Sequence, residues 1–207
     1  RQTTSINTSK TPDRPWLDLA YQVANLMFPL VPVALVLYLL WVYQRPHGGP
    51  LRSMGFDLRR PGFDLGVGSA VFVGGLVLYY ASRELGYNTS VSPANLTAAW
   101  WTVPMLLLLA VKNAVLEEVV MVGYLFTRWR QTGGGIVAVL VGSALIRGAY
   151  HLYQGFGGVV GNVVMGVLFG WLYLRTKRVM PLVVVHSLLD IFAFVGYALL
   201  KPHIPWL

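Results

Sequence analysis

The chain has 207 residues, of which 56 % are hydrophobic and only 12 % are charged. Soluble domains carry about 25 % charged residues, so this composition excludes an ordinary soluble domain and predicts an integral membrane protein. The absence of cysteine excludes disulfides, cysteine-ligated metal sites and thiol catalysis, and the net charge of +8 comes mainly from basic residues between apolar segments rather than from a nucleic-acid-binding patch.

Residues 1–15 are polar and lack periodicity, so we expect a solvated, partly disordered tail. Residues 16–207 are expected to form a single transmembrane domain, and most of their apolar segments reach the roughly 20 residues that a span requires. The segments are 16–43, 63–82, 99–127, 135–154, 158–175 and 179–200. They run unbroken instead of alternating, which predicts helices rather than barrel strands. The expected fold is all-α, a polytopic bundle of about six transmembrane helices.

Basic residues between the segments predict how the bundle is oriented. Assigned to alternate sides in chain order, nine of them fall on one side, namely Arg45, Arg52, Arg59, Arg60, Arg128, Arg130, Arg175, Lys177 and Arg178. Five fall on the other side, namely Arg1, Lys10, Arg14, Arg83 and Lys201. Because basic connections stay in the cytoplasm, this distribution favours an N-terminus outside it.

Several charged and amide side chains lie inside the predicted spans. A Lys, Arg or Asp near the bilayer centre costs about 2.5–3.5 kcal/mol, so each needs a partner, a water-filled cavity or a function. The residues are Lys112, Asn113, Glu117 and Glu118 in the third segment, Arg147 and His151 in the fourth, Asn162 in the fifth, and His186 and Asp190 in the last. A single buried histidine is explained by an interhelical hydrogen bond, but together these residues favour one functional cluster.

Helical spacing predicts which of these residues meet. Three pairs are four residues apart and therefore share a helix face: Asn113 with Glu117, Arg147 with His151, and His186 with Asp190. Glu117 and Glu118 are adjacent and differ by about 100° around a helix, so we expect one to face a site and the other to brace it. Two neighbouring carboxylates in a low dielectric suit acid–base chemistry.

At these residues the sequence resembles the CAAX protease and bacteriocin-processing family of intramembrane endopeptidases, also called the type II CAAX or Abi family. The resemblance covers roughly residues 100–200. Glu117 and Glu118 are similar to the paired glutamates of the first family motif, but Val122 stands where the family has arginine. The second motif, a phenylalanine four residues before a histidine, resembles Arg147 and His151, with arginine in place of phenylalanine.

The third family motif, a histidine followed four residues later by asparagine or aspartate, matches His186 and Asp190. The two departures in the other motifs suggest a compensating exchange. Arg147 would reach Glu118 from the neighbouring helix and replace the missing motif arginine, because a buried glutamate without a partner is costly.

The resemblance implies hydrolysis of a peptide bond by an activated water, without a covalent intermediate. Glu117 would be the general base, and His151 would hold the water and pass a proton to the leaving amine. His186 would stabilise the oxyanion, and Asp190 would orient His186 and favour its imidazolium form. Asn162, Lys112 and Asn113 are candidates for lining a path for water.

Zinc is the alternative to a cofactor-free reaction, because Glu117, His151, His186 and Asp190 are acceptable ligands. No HExxH sequence is present, which places zinc second. The expected partners are the lipid bilayer and a membrane-associated protein or peptide substrate, with no nucleic acid, in a multi-pass protein of the bacterial cytoplasmic membrane. A non-catalytic membrane scaffold or immunity factor of the same fold is the alternative function, followed by a small transporter or proton relay.

Overall fold

The computed structural model describes residues 3–5, 9–44, 48–84, 90–92 and 99–196, and nearly all of them are helical. The first half of the chain contains helices α1 (Pro15–Met27), α2 (Leu30–Gln44), α3 (Gly49–Ser53) and α4 (Pro61–Glu84). The second half contains α5 (Thr102–Glu117), a π-helical segment (Glu118–Tyr124), α6 (Leu125–Gln131), α7 (Ile136–Tyr150), a short 3₁₀ turn (Leu152–Gln154), α8 (Gly155–Thr176), α9 (Met180–Ile191) and a second π-helical segment (Phe192–Gly196).

The predicted helical membrane bundle is confirmed. Among the described residues, three helical stretches are long and apolar enough to cross a membrane: Pro15–Tyr43, Pro61–Ala81 and Leu152–Thr176. Two shorter apolar helices cover Ile136–Tyr150 and Met180–Gly196, and the third predicted segment lies in a continuous helix from residue 102 to residue 131 that carries several charges. The count of six spans therefore stays a prediction.

The polar N-terminal segment has some structure. Thr3–Ser5 forms a strand that pairs in parallel with Ser90–Ser92, with Thr4 opposite Val91. Ser9 donates a hydrogen bond to the buried carboxylate of Asp18, 2.8 Å away. These three-residue strands leave the all-α class unchanged.

Prolines divide the first predicted span into α1 and α2. Pro29 has no backbone N–H to continue the ladder of α1, so the chain turns at Phe28 and Pro29. Pro32 is tolerated because it lies in the first turn of α2, where its N–H would have no helical partner. The interruption is local, and residues 15–43 remain one long apolar stretch.

Small residues allow the later helices to approach closely. A Cβ atom placed on Gly166 of α8 would lie 2.7 Å from the Cα atom of Ala144 on α7. A Cβ atom on Gly68 of α4 would lie 2.5 Å from the side chain of Val184 on α9. Close backbone approach of this kind is how helices associate in lipid, where apolar burial provides no driving force between them.

The loop between α3 and α4 docks on the connection between α8 and α9. The guanidinium of Arg178 donates to both carboxylate oxygens of Asp64, at 2.8 and 2.7 Å, and to Asp57 Oδ1 at 3.0 Å. Gly55 has φ +66°, and a Cβ atom there would lie 2.6 Å from the Cα atom of Arg178. The backbone N–H of Val179 donates to the carbonyl of Met54 at 2.9 Å, so side chains and backbone together clamp this junction.

The charges at this junction stabilise one another. Its hydrogen bonds to Asp64 raise the pKa of Arg178 above the ordinary arginine value. Burial raises the pKa of Asp57, but hydrogen bonds from the Arg59 backbone N–H and from Arg178 outweigh it and hold that pKa below its ordinary value. Arg178 and Asp57 therefore remain ionised and paired at neutral pH.

Contacts show that most of the basic connections lie at one end of the bundle. Arg128 stacks over Tyr43 at 4.7 Å, and Arg178 binds Asp57 and Asp64. We call this end the basic face, defined by Arg52, Arg59, Arg60, Arg128, Arg130, Arg175, Lys177 and Arg178. The predicted grouping of these eight residues is consistent with the contacts, while Arg45 lies outside the described residues.

We predict that Arg178→Gln lowers the stability of the folded bundle by about 2–3 kcal/mol. Removing one partner of a fully buried ion pair lowers the stability by about 3–5 kcal/mol. We expect a smaller loss for Arg178 because it lies at the membrane boundary, where water screens charges. The measurement is the apparent Tm of the purified protein in detergent. The matched control is Arg60→Gln, which removes an exposed charge four residues before Asp64. This variant should leave the Tm unchanged.

Candidate active site

Three helices bring the predicted polar residues together. Glu117 ends α5 and Glu118 begins the π-helical segment, Arg147 and His151 lie at the end of α7, and α9 carries His186 and Asp190. Glu117 is 15 residues from the start of α5 and 14 from the end of α6, which is about 21–22 Å in each direction at 1.5 Å per residue. The cluster is therefore built around the middle of the longest continuous helix.

The helix changes its winding at the two glutamates. Glu118–Tyr124 is π-helical, and such segments occur often at functional sites because they alter the direction in which side chains project. α9 also becomes π-helical, starting two residues after Asp190. Both helices that carry carboxylates of the site are thus locally widened beside it.

Glu118 is the bracing residue. Its side chain is fully buried, and its Oε1 atom accepts hydrogen bonds from Arg147 Nη2 at 2.6 Å and from His186 Nδ1 at 2.7 Å. The predicted contact between Arg147 and Glu118 is confirmed. Val122, at the position where the family motif has arginine, is only 1 % exposed and packs in the hydrophobic core. The charge that braces Glu118 therefore comes from α7 instead of from its own helix.

Glu117 has a different environment from its neighbour. Its side chain is 18 % exposed, and its Oε2 atom accepts a hydrogen bond from the hydroxyl of Tyr150 at 2.6 Å. Its Oε1 atom lies 3.9 Å from His151 Nε2. The expectation that one glutamate faces the site and the other braces it agrees with these contacts, and Glu117 is the accessible one.

The hydrogen bonds of His151 determine which ring nitrogen carries the proton. Nδ1 lies 2.9 Å from the backbone carbonyl of Arg147, and a carbonyl can only accept, so Nδ1 donates. In the neutral ring Nε2 then presents a lone pair toward Glu117. The rings of Tyr150 and Tyr153 lie 4.6 and 6.0 Å from the imidazole and hold it in this orientation.

His186 lies between two carboxylates. Its Nδ1 atom donates to Glu118, and its Nε2 atom is 3.8 Å from Asp190 Oδ1. Asp190 is held on its other oxygen by Asn113 Nδ2 at 3.2 Å, and Lys112 Nζ donates in turn to Asn113 Oδ1 at 2.5 Å. Lys112 and Asn113 therefore extend the cluster along α5.

Asn162 lies apart from this cluster. It donates to Gln154 Oε1 at 3.1 Å and to the backbone carbonyl of Gly158 at 2.9 Å. Gln154 in turn donates to the hydroxyl of Tyr153, whose ring faces His151. Asn162 thus reaches the site only through two other side chains, and its predicted supporting role becomes an indirect one.

Two residues with side-chain partners in the structure were not predicted from the sequence. Tyr150 was hidden among the aromatic residues of an apolar span, although it immediately precedes His151 and is three residues after Arg147. Asp64 pairs with Arg178. A carboxylate near the start of an apolar segment is the sequence feature that indicates such a pair. Only Tyr150 belongs to the candidate site.

A metal ion has one candidate set of ligands among the described residues. Glu117, Glu118 and His186 offer ligand atoms within 4.8 Å of one another, whereas the predicted set had His151 and Asp190 in place of Glu118. The guanidinium of Arg147 is 2.6 Å from Glu118, and His186 Nδ1 already donates to the same oxygen. A fixed positive charge against this carboxylate disfavours a dication, so these residues fit zinc poorly.

We predict that Arg147→Leu destabilises the bundle by about 3–5 kcal/mol, because it leaves the carboxylate of Glu118 buried without its cation. The double variant Arg147→Leu/Glu118→Leu should recover a large part of this loss, since it removes both charges. The apparent Tm of the wild-type, single and double variants in detergent forms the cycle. A double variant that is as unstable as the sum of the two single variants would contradict the pairing.

Comparison with known families adds to this geometry. Residues 99–192 match the family model described as type II CAAX prenyl endopeptidase, Rce1-like. No curated protein and no solved structure matches the chain. The matched segment contains every residue of the cluster from Lys112 to Asp190. The segment 99–192 of this chain, with the whole candidate site on it, is therefore similar to the type II CAAX prenyl endopeptidase, Rce1-like family.

Proposed function

We propose that the protein is an intramembrane endopeptidase that hydrolyses a peptide bond of a membrane-associated protein or peptide with a water activated by Glu117. The observation that carries this proposal is the accessible carboxylate of Glu117 facing His151 Nε2 at 3.9 Å, next to a fully buried ion pair between Glu118 and Arg147. One acidic side chain is thus free for chemistry, and its neighbour is committed to structure.

The first step is the attack of water on the peptide carbonyl carbon. A water held between Glu117 Oε1 and His151 Nε2 donates its two hydrogens to these atoms and keeps a lone pair for the attack. As the C–O bond forms, Glu117 takes the proton and becomes a neutral acid. The bond from Tyr150 to Glu117 Oε2 leaves Oε1 as the basic oxygen.

His186 is the group that we assign to the oxyanion. Carboxylates of Glu118 and Asp190 flank its ring, which favours the doubly protonated imidazolium. The distance of 3.8 Å between Nε2 and Asp190 Oδ1 leaves this N–H available as a donor. A charged donor in a dry site stabilises the developing negative charge strongly.

Collapse of the tetrahedral intermediate breaks the C–N bond. The leaving nitrogen receives the proton that Glu117 took from the water, passed directly or through His151 Nε2, and the new carboxyl group leaves with the other fragment. Glu117 returns to its ionised form without any covalent intermediate. The buried Glu118, Arg147 and His186 hold the reacting groups in place throughout, so little reorganisation is needed.

The substrate and the membrane belong to the same proposal. The matched family model is named for prenylated CAAX proteins, so a farnesylated peptide ending in a CAAX sequence is the first substrate to test. We place the protein in the cytoplasmic membrane of a bacterium, with the basic face toward the cytoplasm under the positive-inside rule. The charge of Arg147 beside the carboxylates supports a reaction without a resident metal.

We predict that Glu117→Gln abolishes proteolysis, with a loss of at least about 100-fold in kcat, because the amide cannot accept the water proton. The measurement compares peptide termini by mass spectrometry in membranes that contain wild-type or variant protein, with and without a chelator. Glu84→Gln is the matched control, since it makes the same change on an exposed residue at the end of α4.

The outcomes separate the alternatives. New peptide termini that are absent with Glu117→Gln but persist when the wild-type protein is treated with the chelator support water activated by glutamate alone. Loss of these termini with the chelator would favour a zinc-dependent reaction. If no termini depend on Glu117 across several membrane sources, the non-catalytic scaffold becomes the better function. Burial of Val122, in place of the family arginine, is the structural observation that favours the scaffold.

We predict that Tyr150→Phe lowers kcat about tenfold and leaves KM unchanged. Tyr150 is a positioning residue, because its hydroxyl donates to the non-reacting oxygen of Glu117 and a charge-assisted bond of this kind is worth about 1.5–3 kcal/mol. The measurement is steady-state kinetics on the same substrate. Tyr153→Phe is the control, because the Tyr153 hydroxyl contacts Gln154 rather than a carboxylate. A Tyr150→Phe enzyme that changes KM alone would contradict the assignment.

A further inference from the structure

A second feature of the molecule lies on the basic face, away from the catalytic cluster. A cavity of about 450 Å³ opens between the end of α6, the end of α8 and Ser53 of α3. Its apolar wall includes Phe126, Tyr173 and Leu174, and its polar rim includes Arg130, Gln131 and Lys177. No carboxylate contributes to this lining.

The cations of this cavity are not neutralised by the described part of the chain. Neither Arg130 nor Lys177 has an ion pair among the described residues, and the two aspartates of this face, Asp57 and Asp64, are bound to Arg178. Two other arginines of the face stack on aromatic rings, Arg128 on Tyr43 and Arg175 on Trp171. Positive charge is therefore concentrated at the cavity.

The remaining polar groups of the lining also favour an anion. The hydroxyl of Thr127 donates to the carbonyl of Gly123, and that of Ser53 donates to the carbonyl of Pro50. The side-chain oxygen of Gln131 accepts a hydrogen bond from Arg128, which leaves its amide N–H groups as donors. The free donors of the rim are thus a guanidinium, an ammonium and an amide, a set that matches phosphate oxygens.

The position of the cavity decides which phosphate source fits. Trp129, which precedes Arg130, and Trp171, two residues before Tyr173, are 40 % and 47 % exposed, and exposed tryptophans next to basic residues mark the level of lipid headgroups. Basic cavities between transmembrane helices at this level bind anionic lipid headgroups. We propose that the cavity between α6 and α8 binds the phosphate-bearing headgroup of an anionic phospholipid, with Arg130 and Lys177 as its cationic ligands.

The experiment is native mass spectrometry of the purified full chain with graded amounts of phosphatidylglycerol. The double variant Arg130→Gln/Lys177→Gln should weaken phosphatidylglycerol binding about 30-fold, since each cation near a membrane surface contributes about a factor of five. The matched control, Arg59→Gln/Arg60→Gln, removes the same charge from the same face outside the cavity and should change binding less than about threefold. Both pairs are exposed, so their Tm values should stay at the wild-type value.

Three outcomes would overturn the proposal. Equal weakening by the two double variants would assign the binding to diffuse surface charge. Equal binding of phosphatidylcholine, which carries the same phosphate without a net charge, would show that the headgroup charge is not recognised. Displacement of phosphatidylglycerol by inorganic phosphate at similar concentration would make the ligand a free anion. These readouts do not depend on proteolysis and test the cavity alone.

Discussion

The buried carboxylate of Glu118 is the interaction on which the arrangement of this protein depends. One oxygen of this side chain accepts hydrogen bonds from α7, through Arg147, and from α9, through His186. Ions in the interior of a membrane protein are costly without partners, so the three helices are stable only when all three groups meet. The placement of Glu117, His151 and Asp190 follows from this meeting point, because each lies within four residues of one of its members.

Adjacent glutamates of opposite character are the chemical result. Glu118 has no exposed surface and is hydrogen-bonded by Arg147 and His186. Glu117 is part-exposed, accepts a hydrogen bond from the Tyr150 hydroxyl and lies 3.9 Å from Arg147 Nη1, beyond hydrogen-bond distance. The difference arises because one residue along a helix is about 100° of rotation, which turns one carboxylate toward the core and the other toward Tyr150 and His151. The π-helical winding that begins at Glu118 lies at the same point.

The basic face and the interior of the bundle serve different purposes. Arg178, bound to Asp57 and Asp64, clamps two connections of the basic face, and its backbone neighbours add the bond from Val179 to Met54. The candidate site lies deeper in the bundle, built by α5, α7 and α9. This separation lets the proposed lipid site use the charge of the basic face without contacting the catalytic cluster.

The sequence by itself determined the membrane class, the helical fold and most members of the cluster, although it missed Tyr150 and included Asn162. Low charge, long apolar segments and spacings of four residues are local properties, and local properties survive in any packing of the helices. It also predicted the pairing of Arg147 with Glu118, because burial of either charge alone is costly. Helical spacing predicted only that the two glutamates differ, and the family resemblance implied that Glu117 is the base and that Glu118 is the glutamate paired with Arg147.

Tertiary structure alone decided which atoms face one another. The bond from Tyr150 to Glu117, the division of the two oxygens of Glu117, and the displacement of Asn162 from the site depend on how α7 and α8 pack, which small residues such as Gly166 control. The junction of Arg178 with Asp64 joins residues 114 positions apart. Such contacts are set by helix rotation and axial shift, and a single sequence records hydrophobic periodicity but carries no measure of either quantity.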